Sequence, residues 1–234
     1  MNVSGIPEQY ARKLTRDEIN RLPIRRWNGP VRLVHTAEEM TAALNLLGQE
    51  RVLGFDTETR PAFRKGVSHQ PSLVQLAGAR EVILFQLHRI DDFGPLVDIL
   101  SRENLLKVGV GLDHDIRQLQ PLFPFEQRGF IDLGVVAERA GMESRGLRSM
   151  AASLFGFRIS KRAQCSNWET PDLQPFQVEY AATDAWISRE IFLVMERLGV
   201  VTTPSSARSA RTIEGDARID QDVGDIGDQF GQQP

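Results

Sequence analysis

Asp56 and Glu58 stand two residues apart at the end of the apolar run VLGFDTET, and the period of two in a strand puts both side chains on one face. Two carboxylates on one face repel each other unless a cation lies between them. The pair is therefore either part of a site for a hard divalent ion, which prefers oxygen ligands, or two exposed acids at a strand end. Asp115 opens a helical segment just after the apolar stretch LLKVGVG, where side chains emerge at the C-terminal edge of a sheet. Asp113 competes for that place, and an acid there also complements the helix dipole. Tyr180 and Asp184 are four apart in QVEYAATDAWISREIF and so share one helical face, as a partly buried pair also would.

Other chemistries drop out. The single cysteine, Cys165, has no internal disulfide partner, and His35, His69, His88 and His114 show no zinc-ligand spacing. With no histidine partner in sequence, Cys165 reads as a packed thiol. Gly109 and Gly111 lack the third glycine of a dinucleotide fingerprint. No apolar run is long enough to span a bilayer and the N-terminus has no signal-peptide core, so the expectation is a cytoplasmic protein without a membrane partner. The net charge of −3 is unevenly spread. Residues 213–234 hold six acids against Arg218 and carry −5, leaving +2 on the rest, while six bases against three acids give residues 1–30 a charge of +3. That mild basicity permits phosphate binding.

These side chains need elements to hold them. The strand VRLVHT leads into a helix over AEEMTAALNLLG, for which Thr36 and Glu39 spell a capping box and Gly48 a stop. VLGFDTET is a strand, and SLVQLAGA and EVILFQL form a hairpin about a Gly-Ala-Arg turn. A helix over FGPLVDILSR, the strand LLKVGVG, a helix over HDIRQLQPL, a strand at FIDL and a largely helical remainder to Leu198 follow. A hairpin inside a βα series predicts an α/β domain with a mixed sheet. The boundaries read as a basic N-terminal arm at 1–30, one domain at 31–201 and a disordered acidic tail at 202–234, whose polar composition cannot bury enough surface to order itself.

Taken in order, Phe55-Asp56-Thr57-Glu58-Thr59, then Lys107 through Gly109 and Gly111 to Asp115 and Leu119, then Tyr180-Ala-Ala-Thr-Asp184 resemble the DEDD superfamily of 3′-5′ exonucleases. The motif register selects Asp115 over Asp113. PSLVQLAG and GLRSMAASLFG, followed by Lys161 and Ser166-Asn167-Trp168, extend the resemblance over about Arg51–Leu198 and toward the branch of ribonuclease D and the Werner-syndrome exonuclease. A Tyr four residues before the last Asp, with Glu179 where other members carry a His, matches the Tyr subclass.

The resemblance implies a ribonuclease H-like mixed sheet flanked by helices, in a single domain. It implies a two-metal-ion 3′-5′ exonuclease that takes a DNA or RNA 3′ end, uses Mg²⁺ or Mn²⁺ and releases nucleoside 5′-monophosphates. Asp56 would bridge both ions, Glu58 and Asp184 would hold chiefly one, Asp115 would act on the other largely through water, and Tyr180 would orient the attacking water. Lys161, Asn167 and Trp168 are the substrate-binding candidates. Lys161 would meet a phosphate, and Trp168 would either stack on a base or support the site from within. The arginine that usually follows that Trp is not evident in ETPDLQPFQ. Asp132 in FIDL reads as a structural hydrogen-bonding acid. The helical accessory domains of ribonuclease D are not expected, since 234 residues leave no room for them beside the catalytic domain. Alternatives are a catalytically silent nucleic-acid-binding protein of the same fold and an endonuclease using the same ions.

Overall fold

The computed structural model describes residues 2–64 and 66–203. Most of the expected acidic tail, 204–234, lies outside the described residues. In chain order the elements are β1 (Asn2–Val3), α1 (Glu8–Ala11), α2 (Arg16–Arg21), β2 (Val31–Val34), α3 (Ala37–Leu47), β3 (Val52–Thr59), β4 (Pro71–Ala77) and β5 (Val82–Gln86). There follow α4 (Gly94–Ser101), β6 (Leu106–Gly109), α5 (Leu112–Leu119), β7 (Phe130–Asp132), α6 (Leu133–Arg139), α7 (Leu147–Phe155), α8 (Pro175–Arg197) and β8 (Val201–Thr202). Among the described residues no helix is long and apolar enough to cross a membrane.

Six strands form one mixed sheet in the order β2-β5-β4-β3-β6-β7. The β3–β4 and β4–β5 pairs are antiparallel, as the hairpin requires, and the remaining pairs are parallel. Strand alternation divides the core between the two faces. Val52, Leu73, Val82, Leu84, Val108 and Ile131 pack under α6, α7 and α8, while Leu53, Phe55, Val74, Leu76, Ile83 and Phe85 pack under α3, α4 and α5. The β3 segment runs Val52-Leu53-Gly54-Phe55-Asp56-Thr57-Glu58, so Asp56 and Glu58 fall on the α8 face and Thr57 on the α5 face.

Gly54 sets how close α8 comes. A Cβ built there would lie 1.8 Å from the Ala185 carbonyl oxygen, which only a residue without a side chain permits. Ala185 follows Asp184, so this backbone contact brings the helical carboxylate against the strand that carries Asp56 and Glu58. At the other end of the site, Gly111 caps α5 with φ 77°, a left-handed conformation that lets β6 turn directly into the helix bearing Asp115.

Two details differ from expectation. The Thr36 hydroxyl accepts from Glu39 N–H as predicted, but the Glu39 carboxylate reaches one residue further back and accepts from His35 N–H at 2.8 Å, so the capping box is incomplete. The first thirty residues, whose order the sequence left open, are anchored along their length. Asn2–Val3 pairs with Val201–Thr202, Ile19 is buried, and Trp27 lies 5.9 Å from Trp186, ring to ring.

Candidate active site

Ligand oxygens of Asp56, Glu58 and Asp184 lie within 4.8 Å of one another. Two come from alternate residues of β3 and the third from the helix that Gly54 admits. Glu58 and Asp184 are buried and Asp56 is half-buried. Asp115 is not one of these three and does not line their cleft; it is tied to β3 from the opposite face by the Thr57 hydroxyl, which donates to its Oδ1 at 2.9 Å. Asp113 is exposed while Asp115 is half-buried, which agrees with the motif register. Tyr180, one helical turn before Asp184, shares with Asp56, Glu58 and Asp184 a cleft of about 530 Å³.

Crowding of anions in a poorly solvated place makes each hard to ionise. Burial pushes Glu58 up to about 10, with repulsion from Asp56, Asp184 and Asp115 adding to it. Burial raises Asp184 to about 7 against the opposing pull of the Tyr180 hydroxyl and Lys161. Asp115 rises to about 6, again chiefly by burial and in spite of the Thr57 hydrogen bond. Asp56 is held well above the carboxylate range by burial and by the charges of Asp184 and Asp115. The same surroundings raise Tyr180 above its ordinary value, so at neutral pH its hydroxyl is a proton donor. Asp184 Oδ1 is buried without a hydrogen-bond partner. A set of hard oxygens, mutually repelling and incompletely bonded, fits a divalent cation.

The substrate-binding candidates separate. Lys161 is exposed and lines the cleft. Asn167 is outside the cleft lining, and its Oδ1 accepts from Glu169 N–H at 3.3 Å while its carbonyl accepts from Gln177 Nε2 at 3.2 Å. Trp168 is 0% exposed with its ring 6.0 Å from that of Tyr180, so no base can stack on it and it supports the site from within. Asp132 is structural. Its Oδ1 accepts from Gly134 N–H and Val135 N–H at the start of α6, and its Oδ2 from Leu112 N–H at the start of α5. Cys165 is exposed, not packed.

Sequence reasoning passed over two groups. Thr57 was only the spacer between two acids, and its bridging role depends on the strand alternation that turns it toward α5. Lys13, Leu14, Arg16 and Ile19 of the arm, with Arg148 and Ser149 of α7, also line the cleft. The sequence signal for the arm residues was the positive charge of residues 1–30, while Arg148 and Ser149 lie in the GLRSMAASLFG segment of the resemblance.

A family profile described as a 3′-5′ exonuclease matches residues 31–199. Ribonuclease D of Gluconacetobacter diazotrophicus is 32% identical over 171 residues, covering 71% of this chain and 42% of that protein. Ribonuclease D of Haemophilus influenzae is 28% identical over 169 residues, covering 71% and 41%. The chain thus spans about two fifths of the length of these curated relatives. Among solved structures, the Nibbler EXO domain of Aedes aegypti superposes with a TM-score of 0.68 at 22% identity, covering 80% of this chain and 98% of that one, a likeness of fold.

Proposed function

The chain belongs to the 3′-5′ exonuclease family, and on that premise we propose that it removes nucleotides from the 3′ end of a DNA or RNA strand as nucleoside 5′-monophosphates. One observation carries the reading. Three carboxylates from two separate elements converge within 4.8 Å, in a cleft that also holds Tyr180. Nothing in folding calls for such a cluster, since each of the three is raised by burial.

Asp56, Glu58 and Asp184 would hold one Mg²⁺ or Mn²⁺, and a second would draw on Asp56 and on Asp115, which Thr57 ties to the same strand. When bound, such ions supply the charge neutralisation that in-line displacement at phosphorus needs. The chain's own groups do the rest. Tyr180 keeps its proton at neutral pH and orients the attacking water without deprotonating it. Buried Trp168 backs the Tyr180 ring, and the Thr57 hydroxyl fixes the Asp115 carboxylate. The water oxygen forms the new bond to phosphorus and loses its proton to solvent, as the bond to the 3′-oxygen of the penultimate nucleotide breaks and that oxygen takes a proton from solvent, so the phosphate leaves on the released nucleotide. Relatives named ribonuclease D put RNA beside DNA among the substrates to test.

The test is incubation of 5′-labelled single-stranded DNA and RNA of one sequence with Mg²⁺, Mn²⁺ or EDTA, alongside Asp184→Ala. A ladder shortening from the 3′ end, absent in EDTA and in the variant, is expected. Internal fragments would indicate an endonuclease, and intact strands in every metal would leave a binding protein of the same fold.

A further inference from the structure

The N-terminal segment lies outside the stretch matched by the family profile, yet it builds part of the cleft. Its backbone is tied down on both sides. Ala11 C=O accepts from Glu143 N–H at 2.9 Å, and beyond the cleft Pro23 C=O accepts from Arg158 N–H and Arg25 N–H donates to Arg158 C=O, both at 2.9 Å. Trp27 N–H then donates to the Thr183 hydroxyl at 3.1 Å. Between these anchors Lys13, Leu14, Arg16 and Ile19 line the same cleft as Asp56, Glu58, Tyr180 and Asp184. A complete capping box of Thr15 and Glu18 fixes the turn that carries Arg16.

The side-chain charges on this wall are not taken up in ion pairs among the described residues, although Lys13 N–H donates to the Glu143 carboxylate at 3.2 Å. Arg12 is consumed by Glu18 at 2.8 Å and Arg26 by Glu179 at 2.7 Å. Among the described residues Lys13, Arg16 and Arg148 form no ion pair, and Lys13 and Arg16 are exposed. Arg148 donates to Asn20 Oδ1 at 2.8 Å, but its Nε is buried without a partner, and the charged neighbours acting on it are Arg158 and Arg16. Guanidinium groups gathered without a carboxylate repel one another, and an anion among them would relieve the repulsion. The floor of the cleft is acidic, so a polyanion is drawn in by charge supplied from the wall.

We infer that the N-terminal segment is a substrate-binding wall of the active site, in which Lys13 and Arg16, together with Arg148 of α7, hold the phosphodiester backbone of the nucleotides preceding the 3′-terminal one. The inference rests on the exonuclease reading for the direction of the strand, but its test does not depend on turnover. Binding of a fluorescent single-stranded 12-mer is measured in EDTA across a salt series. Replacing both side chains (Lys13→Ala with Arg16→Ala) weakens binding roughly tenfold and lowers the slope of log affinity against log salt by about 1.4, at about 0.7 for each phosphate contact to a single strand. The charge-keeping pair Lys13→Arg with Arg16→Lys retains the wild-type affinity. Hydrolysis of thymidine 5′-monophosphate p-nitrophenyl ester, which offers no preceding phosphodiester, falls less in the alanine pair than binding of the oligonucleotide does.

Unaltered affinity and salt slope in the alanine pair would overturn the inference, as would an equal loss on the oligonucleotide and on the small ester. Binding that depends on Lys13 and Arg16 in a protein that shortens no strand would support it while removing the exonuclease reading.

Discussion

Asp184→Asn should make the metal-free protein more stable at neutral pH while abolishing hydrolysis. Asp184 has an ordinary value of 3.8 and is raised to about 7, first by burial. A shift of about three units at about 1.36 kcal/mol each caps the cost of the ionised side chain at about 4 kcal/mol. Asparagine removes the charge but leaves a buried amide at a place where Oδ1 already lacks a partner, which takes back on the order of 1–3 kcal/mol. The net gain is about 1–3 kcal/mol, or roughly 3–10 °C in Tm for a domain of this size. The sign follows from linkage. A raised pKa means that the folded state binds the proton more tightly, so wild-type stability is full below the unfolded pKa near 3.8 and is lost as pH rises through about 7. The advantage of the variant should therefore be absent near pH 4 and grow to a plateau above pH 7. Thermal melts in EDTA across that range measure it. A repeat with Mg²⁺ or Mn²⁺ should raise the wild-type Tm by ligand linkage and leave the variant largely unmoved. A variant less stable than wild type by the same amount at every pH would refute the reasoning, because Asp184 would then be a structural hydrogen-bonding group.

Gly54→Ala puts a Cβ 1.8 Å from the Ala185 carbonyl oxygen, so α8 must shift. We expect a loss of about 2–3 kcal/mol or more in urea unfolding, together with a fall in turnover at saturating metal. Tyr180→Phe keeps the ring against Trp168 and removes the hydroxyl. It should lower kcat by tenfold or more, about 1.4 kcal/mol of barrier, with metal affinity unchanged by titration calorimetry. Lys107 is fully buried, donates to the Arg102 carbonyl at 2.7 Å and is pushed by burial down to about 7. Its lowered pKa costs stability fully below pH 7 and ceases to as pH rises toward its ordinary 10.5, so Lys107→Met should stabilise the protein most on the acid side, as melts at pH 6 and 10 would reveal.

What was legible in the sequence was whatever a local period encodes. The two-residue spacing of Asp56 and Glu58 and the four-residue spacing of Tyr180 and Asp184 each fix a shared face within one element, and both pairs line the cleft. The hairpin was legible because the segment between its strands has turn residues and the strands are apolar. What was hidden depends on approach between elements distant in the chain. Trp168 was left as either a stacking platform or a supporting residue, and only the packing of α8 over the sheet, which leaves it no exposed surface, decides for support. Gly54 carries no signal of its own in the strand VLGFDTET. Its use appears only when Ala185, 131 positions later, is placed against it. The arm was hardest, since its hydrogen bonds go to Glu143, Arg158 and Thr183, and its own sequence shows only bases, prolines and scattered apolar residues.

The division of labour has a physical logic. Asp56 and Glu58 cost stability, so the element carrying them must not yield to their repulsion. β3 lies inside the sheet between β4 and β6, with Asp56 opposite Gln75 and Glu58 opposite Leu73 in regular register before the pairing shifts at Thr59. β4 pairs with β3 through Asp56 and Glu58 while β6 holds its first residues, Val52 to Gly54, so the carboxylates cannot move apart without breaking ladder bonds to β4. Asp184 is likewise fixed by the close contact at Gly54, and Asp115 by the bond from Thr57. The repulsion is thus held in place by backbone pairing and helix packing, and a cation relieves it most. The wall of Lys13, Arg16 and Arg148 is the electrostatic counterpart: Arg148, fixed on α7, feels the charges of Arg16 and Arg158, the segment bearing Lys13 and Arg16 is held by backbone anchors at Ala11 and Pro23, and there an anion gives the relief.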